Sequence, residues 1–228
     1  MKNNSISPAF MLLGILFCTC LIVSNLMAAK IFVVGDITLS AAVLLFPVSY
    51  ILNDCIAEVW GYRKARLIIW TGFAVNFLVM AVFQLAVMLP SAPFWEGAPH
   101  FDYIFGLAPR LAAASFLAFL AGSLVNAYVM SRMKLASQGR HFSLRAVVST
   151  LLGEGVDSMI FFPCAYFGLL PFNEMLAVLF GEVALKVAYE MAVLPLTRRV
   201  VAYIKRVDGV DVFDENISYN PLKISDIG

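Results

Sequence analysis

Six apolar segments, each about as long as a bilayer is thick, succeed one another along this chain and leave little sequence for anything else. They read at residues 10–29, 38–60, 66–90, 110–131, 146–170 and 174–199. About 20 apolar residues in a helix cross a hydrocarbon core of ~30 Å, and a chain in lipid must satisfy its backbone polar groups internally. Of the 228 residues, 61% are hydrophobic and 14% charged, against about 25% charged in soluble domains. The expected fold is an all-α integral membrane protein: one six-helix transmembrane domain over 1–206, then a short, loosely ordered, acid-rich cytoplasmic tail over 207–228. No soluble domain and no phosphate-binding loop can be read.

Basic residues fix the expected orientation. Arg63, Lys64 and Arg66 follow the second segment; Arg132, Lys134, Arg140 and Arg145 follow the fourth; Arg198, Arg199, Lys205 and Arg206 follow the sixth. The opposite links hold only Lys30 and Arg110. The positive-inside rule puts both termini in the cytoplasm. The first segment is longer than a signal-peptide core of about 7–15 residues, so it is expected to stay as a membrane span. Three spans before residue 100 and three after allow a 3+3 inverted repeat, an arrangement common in secondary transporters.

Charges inside the apolar segments carry the functional signal. Lys186 sits between Glu182 and Glu190, one helical turn from each, so the three share a face. A charge at membrane depth costs at least roughly 2.5–3.5 kcal/mol, which an anchor helix gains nothing from. Asp54 and Glu58 share a face of segment 2; Glu154 and Asp157 share one in segment 5, with Gly153 and Gly155 flanking Glu154. Glycines there either break the helix or admit close approach of another backbone or a ligand. Glu58, nearer the edge, reads most simply as an interfacial partner of Arg63 or Lys64. Asn25, Asn76, Gln84, Ser123 and Asn126 offer uncharged polar groups, each alone more often interhelical glue than a ligand contact. Six carboxylates against one lysine cannot all stay ionised in low dielectric, so some are protonated or face water.

Cys18, Cys20, Cys55 and Cys164 lie in apolar segments and behave as small hydrophobes; His100 and His141 are isolated. No metal site and no cofactor is expected. The link 91–109 holds Phe94, Trp95, Phe101, Tyr103 and Phe105, read as an interfacial aromatic belt or re-entrant stretch or as an external gate stacking on a planar ligand.

These segments resemble the queuosine precursor transporter family, six-helix vitamin-uptake-type membrane proteins. The matching residues are Phe46-Pro47 with Asn53-Asp54-x-x-x-Glu58-x-x-Gly61; Arg110, Ala114-Ser115-Phe116-x-Ala118 and Gly122; Ser149-Thr150-x-x-Gly153-Glu154-x-x-Asp157-Ser158 with Phe161-Phe162; and Lys186-x-x-x-Glu190 with Pro195. The resemblance covers about residues 40 to 200. This chain departs from it with Ser123 and Asn126 where members often carry Gln and Asp, and with Glu154 where they often carry Gln or Asn.

The resemblance implies a multi-pass protein of the bacterial inner (plasma) membrane. It implies uptake of 7-deazaguanine bases such as preQ0, preQ1 or queuine for salvage into tRNA modification, by alternating access around an acidic midplane site. The candidate substrate-binding residues are Asp54, Glu154, Asp157, Lys186, Glu190, Asn25, Asn126, Phe161, Phe162 and Glu182. A carboxylate accepts the two parallel donors of a guanine-like edge, an aromatic ring stacks on the heterocycle, and a Lys186–Glu190 ion pair gates or positions segment 6. The partners expected are a small planar heterocyclic base and membrane lipid, not nucleic acid. A homo-oligomer or an ATPase partner stays open.

Two rival readings stand beside this one. The chain is a substrate-binding membrane subunit of an ATPase-dependent vitamin importer, or an intramembrane aspartyl enzyme using Asp54 and Asp157, two acids that would have to share a proton. A purely structural scaffold would tolerate Lys186→Met. The many additional acids and the central lysine speak for a transporter and against an enzyme.

Overall fold

The computed structural model describes residues 7–27, 30–34, 37–105, 109–166 and 172–223. It is helical, with helices α1 (Pro8–Met27), α2 (Phe46–Met88), α3 (Ala98–Phe105), α4 (Pro109–Ala136), α5 (Phe142–Tyr166) and α6 (Phe172–Asp208). Four helical stretches are long and apolar enough to cross a membrane among the described residues: Pro8–Met27, Ala41–Met88, Ala113–Ala136 and Phe142–Cys164. Leu78, Leu85, Leu117, Met159 and Leu196 project from the helices with large exposed areas. Where the surroundings are hydrocarbon, such side chains meet no cost, which is how an integral membrane protein differs from a soluble one.

One feature falls outside the helical expectation. Strands β1 (Ile31–Val34) and β2 (Ile37–Ser40) form an antiparallel hairpin with Ile31 opposite Ser40 and Val34 opposite Ile37. A short 3₁₀ turn, Ala41–Leu44, then leads into α2. Helix therefore starts at Phe46 and not at residue 38, with Pro47 in the first turn, where its missing N–H is no loss.

The expected second and third spans are continuous in α2, 43 residues long. Their junction is one residue, Gly61, at φ 80° and ψ 175°. That conformation is essentially restricted to glycine, and it divides α2 into 46–60 and 62–88. The first half is buried almost without interruption, while much of the second presents apolar side chains outward.

The core forms where α1, α2 and α4 meet, around Phe17, Leu21, Tyr50, Ile56, Tyr62, Ile69, Phe119 and Met130. Helices α4 and α5 make the most extensive pairing, and α6 closes against α5 and the first half of α2. At the α4–α5 crossing, a Cβ built on Gly122 would lie 2.7 Å from the Gly153 carbonyl oxygen and 2.5 Å from the Tyr50 hydroxyl. One built on Gly153 would lie 2.9 Å from the Gly122 oxygen. The two backbones touch there, so Gly153 serves close helix approach. A Cβ built on Gly155 meets nothing within 4 Å among the described residues.

The aromatic link contains α3. Its rings stack on one another and on α2: Phe83 and Phe105 lie 4.4 Å apart between centroids, Phe101 and Phe105 4.6 Å.

The expectation of a loosely ordered tail does not hold over residues 209–223. Backbone and side chains of this segment hydrogen-bond to α2 and α4. Its acid-rich composition hides this, because the acids meet buried basic and backbone donors.

Candidate functional site

Helical spacing on α2, α5 and α6 aligns their polar residues into a column of three layers. On α5 the sequence Arg145, Ser149 and Thr150, Glu154, Asp157 advances by roughly one turn at each step, and on α2 Asp54 and Glu58 do the same. Each layer is closed by residues from a different helix.

In the first layer Lys186 Nζ on α6 lies 2.8 Å from Glu154 Oε2 and 3.9 Å from Asp157 Oδ2 on α5. All three residues are buried. The ammonium also sits 4.7 Å from the centroid of the Phe46 ring, at the start of α2. A cation over a ring face is attracted by the ring quadrupole, so Phe46 supplies the apolar wall that this ion pair tolerates.

The second layer holds Asp54 and Glu190. Glu190 is an electrostatic neighbour of Asp54 and of Thr150, and among the described residues the Thr150 hydroxyl, Asp54 Oδ2 and Glu190 Oε2 find no hydrogen-bond partner. Ser149 Oγ lies 3.4 Å from Asp54 Oδ1. Asp54 is fully buried. These two layers together set four carboxyl groups against one ammonium. Water, protons or a cationic ligand must balance that excess, since bare like charges in low dielectric repel strongly.

Around the column stand Tyr50, Asn53, Ser123, Asn126 and Ser158, all buried. Asn53 Nδ2 donates to the Ser123 carbonyl at 3.0 Å, tying α2 to α4. Among the described residues, neither the oxygen nor the nitrogen of the Asn126 carboxamide is hydrogen-bonded, and its Cβ abuts Gly153.

The third layer is built on Glu58. Its two carboxylate oxygens take the guanidinium of Arg145, through Nη1 to Oε2 and through Nη2 to Oε1 at 3.1 Å. Lys205 Nζ lies 2.6 Å from Oε1. The expected partners Arg63 and Lys64 are not the ones used. They follow the break at Gly61, whereas Arg145 arrives from α5 on the face that Glu58 presents. Asp211 lies outside the spans and pairs with both Lys134 and Lys205. Partial burial alone would raise its carboxyl, but hydrogen bonds from these two ammonium groups outweigh that and hold it below the ordinary range.

The structure thus brings together Asp54, Glu154, Asp157, Lys186 and Glu190 and sets Asn126 beside them. The ion pairs described for Lys186 run across to α5, not along α6 to Glu190. Asn25 is engaged elsewhere: its Oδ1 accepts from Ser115 at 3.3 Å and its Nδ2 donates to the Leu21 carbonyl. Phe161 and Phe162 meet edge-on at 5.4 Å and pack with Leu179 and Val183 at the α5–α6 contact. The side chains of Glu182, Tyr166 and Arg110 lie outside the described residues. Sequence reasoning missed Tyr50 and the buried roles of Lys134 and Arg145, and it named Asn53 as part of a motif without assigning it to the site. Tyr50 and Asn53 had a signal, standing one turn before Asp54 and directly beside it.

Comparison with known proteins gives a consistent picture. A family model described as "Putative vitamin uptake transporter" matches residues 40–200. The chain is 25% identical over 173 residues to the Bacillus subtilis (strain 168) protein named "Probable queuosine precursor transporter", covering 75% of this chain and 76% of that one. It is 27% identical over 121 residues to the "Queuosine precursor transporter" of Escherichia coli (strain K12), spanning about half of each chain (53% and 52%). No solved structure matches.

Proposed function

Because the chain belongs to this vitamin uptake transporter family, and so is a membrane transporter and not an enzyme, we propose that it imports queuosine precursors, 7-deazaguanine bases such as preQ0, preQ1 or queuine. The substrate would bind in the Lys186–Asp54 region of the polar column and cross by alternating access. In this reading the chain lies in the bacterial inner membrane with six spans, α2 supplying two, one on each side of Gly61. Both termini face the cytoplasm, and the halves on either side of residue 100 act as a 3+3 inverted pair.

One observation carries the reading: Lys186 holds Glu154 and Asp157 together, buried, beside two further acids. A guanine-like edge presents an N1–H and a 2-amino group as parallel donors, and one carboxylate can accept both. Asp157, the more loosely paired of the two α5 acids, is the residue assigned that task. The second layer, Asp54 and Glu190, supplies counter-charge for the aminomethyl cation of preQ1. Phe46 and Phe162 lend rings for stacking. Asn126, whose carboxamide can both donate and accept, reads a further edge of the base.

Thermal stabilisation of the detergent-purified protein by preQ0, preQ1, queuine and guanine tests this, with Asp157→Asn as control. A shift selective for one deazapurine and lost in the variant is expected. No shift with any of the four would overturn the substrate assignment.

A further inference from the structure

The tail after α6 repairs the break in α2. In a continuous helix the Tyr62 N–H would donate to the Glu58 carbonyl and the Arg63 N–H to the Val59 carbonyl. At Gly61 this ladder is interrupted. Instead the Tyr62 N–H donates to Asp214 Oδ2 at 2.8 Å, and the Val59 carbonyl accepts from the Val212 N–H at 3.0 Å. Lys134 Nζ donates to the Glu58 carbonyl and, at 2.7 Å, to the Val212 carbonyl. Asp214 is therefore the N-cap of residues 62–88, a carboxylate at the positive end of a helix, delivered from the far end of the chain.

The same segment grips two helices. On α2, Tyr62 Oη donates to the Tyr219 carbonyl at 3.2 Å, Arg66 Nη1 to the Ser218 carbonyl at 3.3 Å, and Trp70 Nε1 to the Pro221 carbonyl at 2.8 Å. On α4, Ser131 Oγ donates to Asp214, and the Tyr128 ring meets Tyr219 edge-on at 5.0 Å between centroids. Directly beneath lies the Glu58 layer, where α2, α5 and α6 are tied by Arg145 and Lys205.

We infer that residues 209–221 are a latch: they hold α2 against α4 over the Glu58 layer, and this end of the polar column opens only when the latch releases one of the two helices. The inference rests on the transport reading above, in which this is the cytoplasmic end through which substrate leaves. Any opening there must part α2 from α4, α5 or α6, and the tail bridges the first two. The Glu58 carboxylate closes the column, and the latch sets how readily that closure breaks.

Two experiments test it, one independent of the substrate. In a variant lacking Cys18, Cys20, Cys55 and Cys164, Ser149→Cys places a thiol one turn above Arg145. Its labelling by a membrane-impermeant maleimide, without ligand, should be at least tenfold faster when Asp214→Ala is added, with the protein still monodisperse. Asp214→Asn, which keeps an acceptor for Tyr62, should label slowly. Equal rates for all three, or faster labelling only with loss of monodispersity, would overturn the latch. Secondly, Tyr128→Cys and Tyr219→Cys are joined by a short bis-maleimide. The tethered protein should import at less than a tenth of the rate of the same variant capped with a monofunctional maleimide. Equal import would show that the tail is a fixed cap and not a latch. If the capped protein imports none of the bases, the substrate assignment fails and the labelling rates alone decide the latch.

Discussion

Lys186 Nζ stands 2.8 Å from Glu154 Oε2, both residues buried and on different helices. A pair of this kind holds α5 and α6 in register, and it does so beside an excess of acid. Desolvating two charges offsets much of their attraction, so the pair adds little net stability as a pair, yet removing one member leaves the other unpaired at membrane depth.

That asymmetry separates a working site from a scaffold. Lys186→Met is expected to lower unfolding stability in mild detergent by about 3–5 kcal/mol, the range for breaking a buried pair. Lys186→Met combined with Glu154→Gln should recover most of that loss. Uptake should stay absent in both, and a Lys186→Met protein that is stable and still transports would sink the site assignment.

The α4–α5 crossing predicts a contrast between two neighbouring glycines. Gly153→Ala drives a methyl group into the Gly122 carbonyl and should cost about 1–3 kcal/mol, as overpacking does. The methyl group of Gly155→Ala meets nothing within 4 Å among the described residues, so this change should leave stability unchanged or raise it by roughly 0.5–1 kcal/mol through helix propensity. Melting curves of the two variants, measured side by side, decide the matter. Equal melting temperatures would refute the crossing.

Gly61 gives a further prediction. An alanine there is forced into a backbone region costing on the order of 1–3 kcal/mol, and its Cβ would meet Asp214 Oδ1 at 2.5 Å. Gly61→Ala should therefore lower the melting temperature, and less so in combination with Asp214→Gly, which removes the clash but not the strain. If Gly61→Ala melts like the parent, α2 is not broken there.

Asp211 predicts a pH dependence. Its folded-state pKa lies below the unfolded value, so its contribution to tail docking is complete above about pH 4 and is lost as pH falls through the depressed folded value. The carboxyl is substantially exposed, so solvent screening keeps the effect modest. The melting temperature of the parent should exceed that of Asp211→Asn at pH 7, and the gap should narrow as pH approaches 3. A gap that widens on acidification would show that the pairing with Lys134 and Lys205 is not what stabilises the segment.

Both ends of α1 and the starts of α4, α5 and α6 were legible in the sequence to within about four residues, because hydropathy measures what lipid selects; the end of α4 was not, since its last turn runs past the apolar stretch. The acids and the lysine of the column were legible for the same reason, as expensive residues in apolar runs. What hydropathy cannot give is partnership. Lys134 and Arg145 read as positively charged links, yet both are buried, since their charges are neutralised by Asp211 and Glu58 from distant parts of the chain. Glu58 looked local to Arg63 and Lys64 because the break at Gly61, which turns those residues aside, leaves no mark in composition. The tail read as loose for a related reason: its order comes from backbone groups of α2 that only a broken helix sets free.

The separation between Tyr62 and its cap also has a temporal side. Asp214 follows Tyr62 by 152 residues, and chains are synthesised at about 5–20 residues per second. For roughly 8–30 seconds after Tyr62 is made, at that rate, the second half of α2 has no acceptor for its first donor, and Lys134 waits a further 77 residues for Asp211. All six helices are therefore synthesised before the residue that caps the second half of α2.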